Sequence, residues 1–261
     1  MTHIITFLFF CFGIIIGSFL NVVIYRLNTK KTLGGRSACM SCRTQLRFYE
    51  LVPIISFLML RGRCKSCKTR ISRQYPLVEA VAGIVSALLF LKFQAVFYVD
   101  PAVFVGTFVY FAFNFFLLLV VSVYDIRHKI IPDELSLLFG VMAFLGLFVF
   151  NKYGFNPHLP SILEFTSGIW VALPFALLFF LSRGAWMGFG DVKLALGLGW
   201  LLGVSRGFDA VVLACWIGAI IGVSLMFGKT KYNLKSELPF APFLVLGAFL
   251  VFVFGLNIFH L

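Results

Sequence analysis

Apolar residues run along this chain in long blocks, broken by short polar stretches. Several blocks approach the ~20 residues that a helix needs to cross the hydrocarbon core of a bilayer. The pattern predicts eight helices, at 4–24, 77–97, 102–124, 135–151, 162–182, 192–204, 209–227 and 239–259. The sixth is short and glycine-rich. Turn signals and charges separate them: Asp100-Pro101, the stretch 125–133, Asn156-Pro157 with Pro160, and the stretches 182–190, 207–209 and 228–239. The apolar stretch 51–60 contains Pro53 and is too short to span, so it is expected at the interface or under the loop. The run 4–24 lacks a basic flank before it and a small-residue cleavage site after it. It reads as a first membrane helix and not as a cleaved signal peptide. There is no internal repeat and no low-complexity segment. The expected fold class is an all-α integral membrane protein of about eight transmembrane helices, with one long loop between the first and second.

Composition agrees. Of 261 residues, 61% are hydrophobic and 12% charged, and Phe alone occurs 34 times. A soluble domain is nearer half apolar and a quarter charged. The net charge of +12 would suggest nucleic acid in a soluble protein. In a membrane chain it fits topology signals and anionic lipid, so no nucleic-acid partner is expected. With the 26–75 loop placed in the cytoplasm, nineteen Lys and Arg fall on the inner side. Only Lys92, Lys152 and Arg206 remain outside. The positive-inside rule supports that orientation, and an eight-helix count then puts both termini outside.

The loop holds four of the six cysteines, as Cys39-Met40-Ser41-Cys42 and Cys64-Lys65-Ser66-Cys67. Two such pairs at this spacing suit a structural tetrathiolate zinc site, because each turn can place two sulfurs on one ion. A long loop without an apolar core needs such a staple, and neighbouring Arg and Lys offset the charge of the centre. Disulfides, a redox dithiol or inert thiols are the alternatives, and a reducing cytoplasm disfavours the first. Cys11 and Cys215 lie within predicted helices and read as packing residues.

Most of the ten acidic residues have plain explanations. Asp100, Asp133 and Asp209 stand where helix N-caps are expected. Asp125, in Tyr124-Asp125-Ile126-Arg127, and Asp191, after Gly188-Phe189-Gly190, both map to the inner membrane face. Two carboxylates at one depth can share a proton, one acting as base while the other polarises a carbonyl. Gly188 and Gly190 would let a substrate backbone approach, and a helix N-terminus favours negative charge at Asp191. An N-cap at 191 and an interfacial acid at 125 are the plainer alternative, since this glycine motif alone is weak.

Together these segments resemble the type IV prepilin peptidase family, bifunctional leader peptidases and N-methyltransferases of the GxGD aspartic protease class. The resemblance runs over nearly the whole chain: residues 17–27, the two cysteine pairs, 73–79, 125–133, 188–194 and 238–244. Departures are Asn28 and Met40, where Pro is usual, and Ala241, where Gly is common. None is a proposed ligand or carboxylate.

The resemblance implies a catalytic pair Asp125 and Asp191, supported by Gly188, Gly190 and Lys193, and a zinc site at Cys39, Cys42, Cys64 and Cys67. It implies a methyltransferase-like part at 1–97 and a peptidase part at 98–261. Prepilins or pseudopilins of a type IV pilus or type II secretion system would be cleaved after Gly at the cytoplasmic face of the bacterial inner membrane. S-adenosylmethionine would then methylate the new N-terminus. A proton-coupled transporter would want acids near helix centres, and a non-catalytic zinc scaffold would leave the Gly188-to-Asp191 cluster without a role.

Overall fold

The structure is a computed structural model that describes residues 2–29, 32, 34–151, 154–227 and 238–258. Lys152, the 228–237 stretch and the expected helix end at 259 lie outside the described residues. The chain divides into two compact units, residues 1–91 and 92–261. The division falls within one helix.

The first unit contains α1 (Thr2–Arg26), a 3-10 turn (Phe48–Glu50), the short α2 (Ile55–Met59) and the start of α3 (Gln74–Val99). The expected short element in 51–60 is α2. Small residues set the crossing of α1 and α3. A Cβ on Gly17 would lie 2.7 Å from the Glu79 Cα, and one on Gly83 would lie 2.8 Å from the Phe10 ring. Bare helix surfaces are what allow membrane helices to approach this closely. Further along, Phe9 and Phe90 stack with centroids 4.7 Å apart.

The second unit contains α4 (Pro101–His128), α5 (Asp133–Gly146), a two-stranded hairpin of β1 (Phe150–Asn151) and β2 (Gly154–Phe155), α6 (Ile162–Ser182), α7 (Phe189–Leu202), α8 (Val204–Phe227) and α9 (Ala241–Phe254). Its core is α4. Asp100 caps that helix by accepting from Ala102 and Val103 N–H, ahead of a Pro that suits the first helical position. Phe111 and Phe115 of α4 meet Phe252 and Phe249 of α9, with centroids 4.5 and 5.0 Å apart. α6 opens with a capping box between Ser161 and Glu164. It crosses α7 where a Cβ on Gly199 would lie 2.5 Å from the Ser167 carbonyl.

Among the described residues, five helices are long and apolar enough to cross a membrane: α1, α3, α4, α6 and α8. The helices α5, α7 and α9 have 14 residues each, about 21 Å at 1.5 Å per residue.

Three boundaries differ from the sequence pattern. The helix expected over 135–151 ends at Gly146, because Phe150 and Asn151 pair with Phe155 and Gly154. The apolar run continues past Gly146 to Phe150, so hydrophobicity gives no sign of the break. Gly203, at φ 81°, ends α7, and α8 begins at Val204. Asp209 is therefore not an N-cap. It is fully buried in the second turn of α8, and its Oδ1 accepts from Ile258 N–H at 3.1 Å. The last helix stops at Phe254, where Gly255 takes a left-handed cap at φ 63°.

Candidate active site and metal site

Asp125 sits in the last turn of α4. That turn is closed by Lys129, a left-handed C-cap whose N–H bonds to the Asp125 carbonyl at 2.7 Å. The chain leaves the helix here, and the Asp125 side chain faces the bundle at only 5% exposure. Its Oδ2 accepts from the Ala241 N–H at 3.3 Å. Ala241 is the first residue of α9, so a helix N-terminus is aimed at this carboxylate. First-turn N–H groups have no partner within their own helix, and they favour negative charge.

Asp191 reaches the same place from the other direction. Gly188 is the N-cap of α7, and Asp191 is the third helical residue. It is 8% exposed, and its Oδ1 has no hydrogen-bond partner among the described residues. Asp125 is close enough for the two charges to interact. The structure thus brings the two sequence-predicted aspartates together, buried, with an unsatisfied carboxylate oxygen between helix ends. A buried orphan acceptor is costly unless it is protonated or supplied with a donor.

The supporting residues differ in what they touch. A Cβ on Gly190 would lie 2.7 Å from the Ile131 Cβ, so this glycine lets the first turn of α7 seat on the 130–131 segment. A Cβ on Gly188 would meet nothing closer than the Gly190 backbone nitrogen, at 4.0 Å. Lys193 Nζ pairs with Asp133 Oδ1 at 2.6 Å and lies 5.2 Å from the centroid of the Phe189 ring. Asp133 is therefore not a cap: Pro132 holds the N-cap position of α5, and the Asp133 side chain ties α5 to α7. Sequence reasoning missed two of these contacts, the Asp133–Lys193 pair and the Ala241 N–H. The second is a backbone donor, which no residue pattern announces. It also makes Ala241 in place of Gly harmless, since both carry the same N–H.

In the first unit the cysteine pairs form two matching turns. Cys39 N–H bonds to Thr44 O and Arg43 N–H to Cys39 O. In the second, Cys64 N–H bonds to Thr69 O and Lys68 N–H to Cys64 O. Arg43 and Lys68 both adopt positive φ, 56° and 59°. Each turn follows one local pattern, Cys-x-Ser-Cys, then a basic residue, then Thr. All six cysteines are free thiols. The four loop sulfurs lie within 4.8 Å of one another, and Cys39 and Cys67 Sγ are 3.7 Å apart. Four thiolates at ~2.3 Å from one zinc have edges of about 3.8 Å, so the donor set fits that ion. Bonding to the Thr69 side chain pulls the Cys67 thiol down to about 6 and bonding to Thr44 lowers Cys42, whereas the Cys39 thiol is pushed up to about 11. Thiolates, the form a metal binds, are favoured at Cys42 and Cys67. Lys65 Nζ bonds the Tyr49 hydroxyl at 2.9 Å, fastening the second turn to the 3-10 turn.

Comparison with known proteins follows the same division. Residues 11–93 match the bacterial peptidase A24 N-terminal domain, and residues 112–223 match the type IV leader peptidase family. A protein of Bacillus subtilis named prepilin leader peptidase/N-methyltransferase is 31% identical over 248 residues, covering 94% of this chain and 93% of that protein. One of the same name from Stutzerimonas stutzeri is 30% identical, covering 93% and 88%. Another from Neisseria gonorrhoeae is 30% identical over 74% of this chain and 72% of its own. No solved structure gives a significant match. Matches to both parts, with relatives aligned over nearly their full length, place the chain in the type IV leader peptidase family.

Proposed function

We propose that this protein is a membrane aspartic endopeptidase that removes the leader of prepilins or pseudopilins and methylates the new N-terminus, with Asp125 and Asp191 as its catalytic pair. One observation carries the peptidase reading. Two carboxylates from different helices are buried together, one bonded by a helix N-terminus and the other with an unsatisfied oxygen. Such a pair divides the labour of hydrolysis. The ionised carboxylate takes a proton from water as the water oxygen attacks the scissile carbonyl. The protonated carboxyl donates its hydrogen to the carbonyl oxygen. Collapse then breaks the C–N bond, and the leaving nitrogen takes the proton. Lys193 and Asp133 support the pair by holding α7 on α5, and Gly190 by letting α7 seat on Ile131. Gly188 leaves the approach open.

The names of the relatives bring leader cleavage and methylation together, and the resemblance puts the cut after Gly in a short basic leader. Residues 1–97 form the methyltransferase-like part and 98–261 the peptidase part. Cys39, Cys42, Cys64 and Cys67 hold one zinc ion, whose role is to staple the loop. S-adenosylmethionine is the methyl donor. Eight helices cross the bacterial inner membrane, with α5, α7 and α9 as short spans. The surplus of inner-side Lys and Arg supports a cytoplasmic loop and a cytoplasmic catalytic face.

The test is direct. Asp125→Asn and Asp191→Asn keep size and hydrogen-bonding capacity but cannot exchange the proton. Each is expected to lower cleavage of a prepilin in detergent by roughly 10³-fold or more, a loss typical of residues acting as a unit. Cleavage near the wild-type rate in either folded variant rules the pair out.

A further inference from the structure

The segments 17–27 and 73–79 take no part in the peptidase chemistry, yet in the first unit they meet. Gly17 lies against the Glu79 backbone, and around that crossing a polar cluster is buried. Glu79 is 6% exposed and Asn21 is 1% exposed. Glu79 Oε2 accepts from Ile54 N–H at 2.7 Å, and the Ser18 side chain lies against the same carboxylate. Asn21 is one helical turn beyond Gly17 along α1, about 6 Å at 1.5 Å per residue. Its Nδ2 donates to the Tyr75 carbonyl at 3.1 Å. Its Oδ1 is buried with no hydrogen-bond partner among the described residues. Tyr25 and Tyr75 stack beside it, with centroids 4.9 Å apart and planes within 9°.

Two features call for a ligand, and both call for the same kind. A buried carboxylate ordinarily has a cation against it, yet among the described residues no Lys, Arg or His pairs with Glu79. A buried amide oxygen ordinarily accepts a hydrogen bond, yet the Asn21 Oδ1 does not. A cationic donor satisfies both at once. N-methylation has two reactants with a positively charged group: the α-ammonium of the cleaved pilin, and S-adenosylmethionine with its sulfonium and its own ammonium. The stacked tyrosines add an aromatic face, which also favours a cation.

We infer that Ser18, Asn21 and Glu79 form the onium-binding site of the methyl-transfer reaction, with Glu79 the anionic anchor and the Asn21 oxygen a second acceptor. This rests on the methyltransferase reading of residues 1–97. The bond from Ile54 gives Glu79 a second duty, holding the start of α2 to α3, so the test must separate charge from shape.

Glu79→Gln does that. It keeps an acceptor for Ile54 N–H and removes the charge. The full-length protein is given a peptide with the mature pilin N-terminus, so no cleavage is needed. Methylation kcat/KM is expected to fall by about 10-fold or more, the scale of a lost charged hydrogen bond. Prepilin cleavage and zinc content should stay at wild-type values. Calorimetric titration then separates the two sources. If the site holds the donor, the variant binds S-adenosylmethionine more weakly by a similar factor. Affinity for S-adenosylhomocysteine, whose sulfur is neutral, changes less. If it holds the acceptor, donor affinity is unchanged and the peptide KM rises. Either pattern supports the site.

Wild-type methylation and wild-type affinity for both reactants in Glu79→Gln overturn it, leaving Glu79 as a clamp on Ile54. Should Glu79→Gln also lose zinc or cleavage, Asn21→Ala decides. A selective methylation loss there upholds the site, and wild-type methylation overturns it. A wild-type protein that binds no S-adenosylmethionine and leaves the peptide unmethylated removes the methyltransferase reading itself, and this inference with it, while cleavage is untouched.

Discussion

The tetracysteine loop and the aspartate pair are both small clusters of ionisable side chains, and they are assembled in different ways. Each cysteine turn is a six-residue unit with its own backbone bonds and one positive-φ residue, and the same unit occurs twice. The two copies are joined by one continuous stretch of loop, and their four sulfurs lie within 4.8 Å of one another. The aspartates are 66 positions apart, on α4 and α7, and Asp125 is completed by a backbone donor from α9. Geometry in the first cluster therefore belongs to a local motif used twice. Geometry in the second belongs to helix packing, and a fault in the bundle reaches the chemistry.

The largest effect should come from the pair itself. The double variant Asp125→Asn/Asp191→Asn should cleave hardly less than either single variant, because residues that act as a unit are non-additive. Multiplicative losses, read from single-turnover cleavage, would show two independent roles. Methylation of a pre-cleaved peptide should persist in all three variants. That outcome sharpens the contrast between the two clusters.

Breaking the local cluster should do the reverse. The freshly purified wild-type protein should carry one zinc by elemental analysis, and Cys42→Ser or Cys67→Ser should remove it. Methylation should fall by roughly 10–100-fold, the scale on which disturbed metal sites lose activity, with cleavage altered only a few-fold. Equal loss of both activities would mean that the loop serves the peptidase as well.

A smaller and more specific effect is expected from the helix seat. Gly190→Ala places a Cβ against Ile131 and must shift the first turn of α7, which carries Asp191. Cleavage should drop by about 10-fold, because small displacements of a catalytic group are costly. Ile131→Ala added to it should recover part of the loss. Gly188→Ala, whose Cβ would meet nothing closer than 4.0 Å, should matter less.

The smallest effect should be the Asp133–Lys193 pair. Its side chains are 78% and 34% exposed, so water screens it. A double-mutant cycle on Asp133→Asn and Lys193→Met should give a coupling of ~0.2–1 kcal/mol in thermal unfolding, as exposed pairs do. No measurable coupling would demote the pair to an incidental contact.

Much of this was legible in the residues for reasons that lie in the local chain. Hydrophobic runs located the long helices because lipid and core burial both demand apolar side chains over a helix length. The cysteine spacing announced a cluster of four sulfurs because one turn of chain sets the reach of two of them. Asp125 and Asp191 stood out by their place at helix ends beside small or charged neighbours. The failures were of another kind. Asp133 and Asp209 passed for caps because each stands near a helix start. Only the packed helices reveal that one grips Lys193 and the other is buried against the 258 backbone. The early end of α5 was invisible because Leu147 to Phe150, which follow it, are as apolar as the helix itself.

Helix content, membrane character and the cysteine turns were thus set by the chain itself, since they depend on neighbours within one or two turns. Which carboxylates are buried, which backbone N–H reaches Asp125 and which backbone N–H reaches Glu79 were decided by tertiary structure. They depend on where glycines allow helices to touch, and such contacts join residues that no local spacing relates.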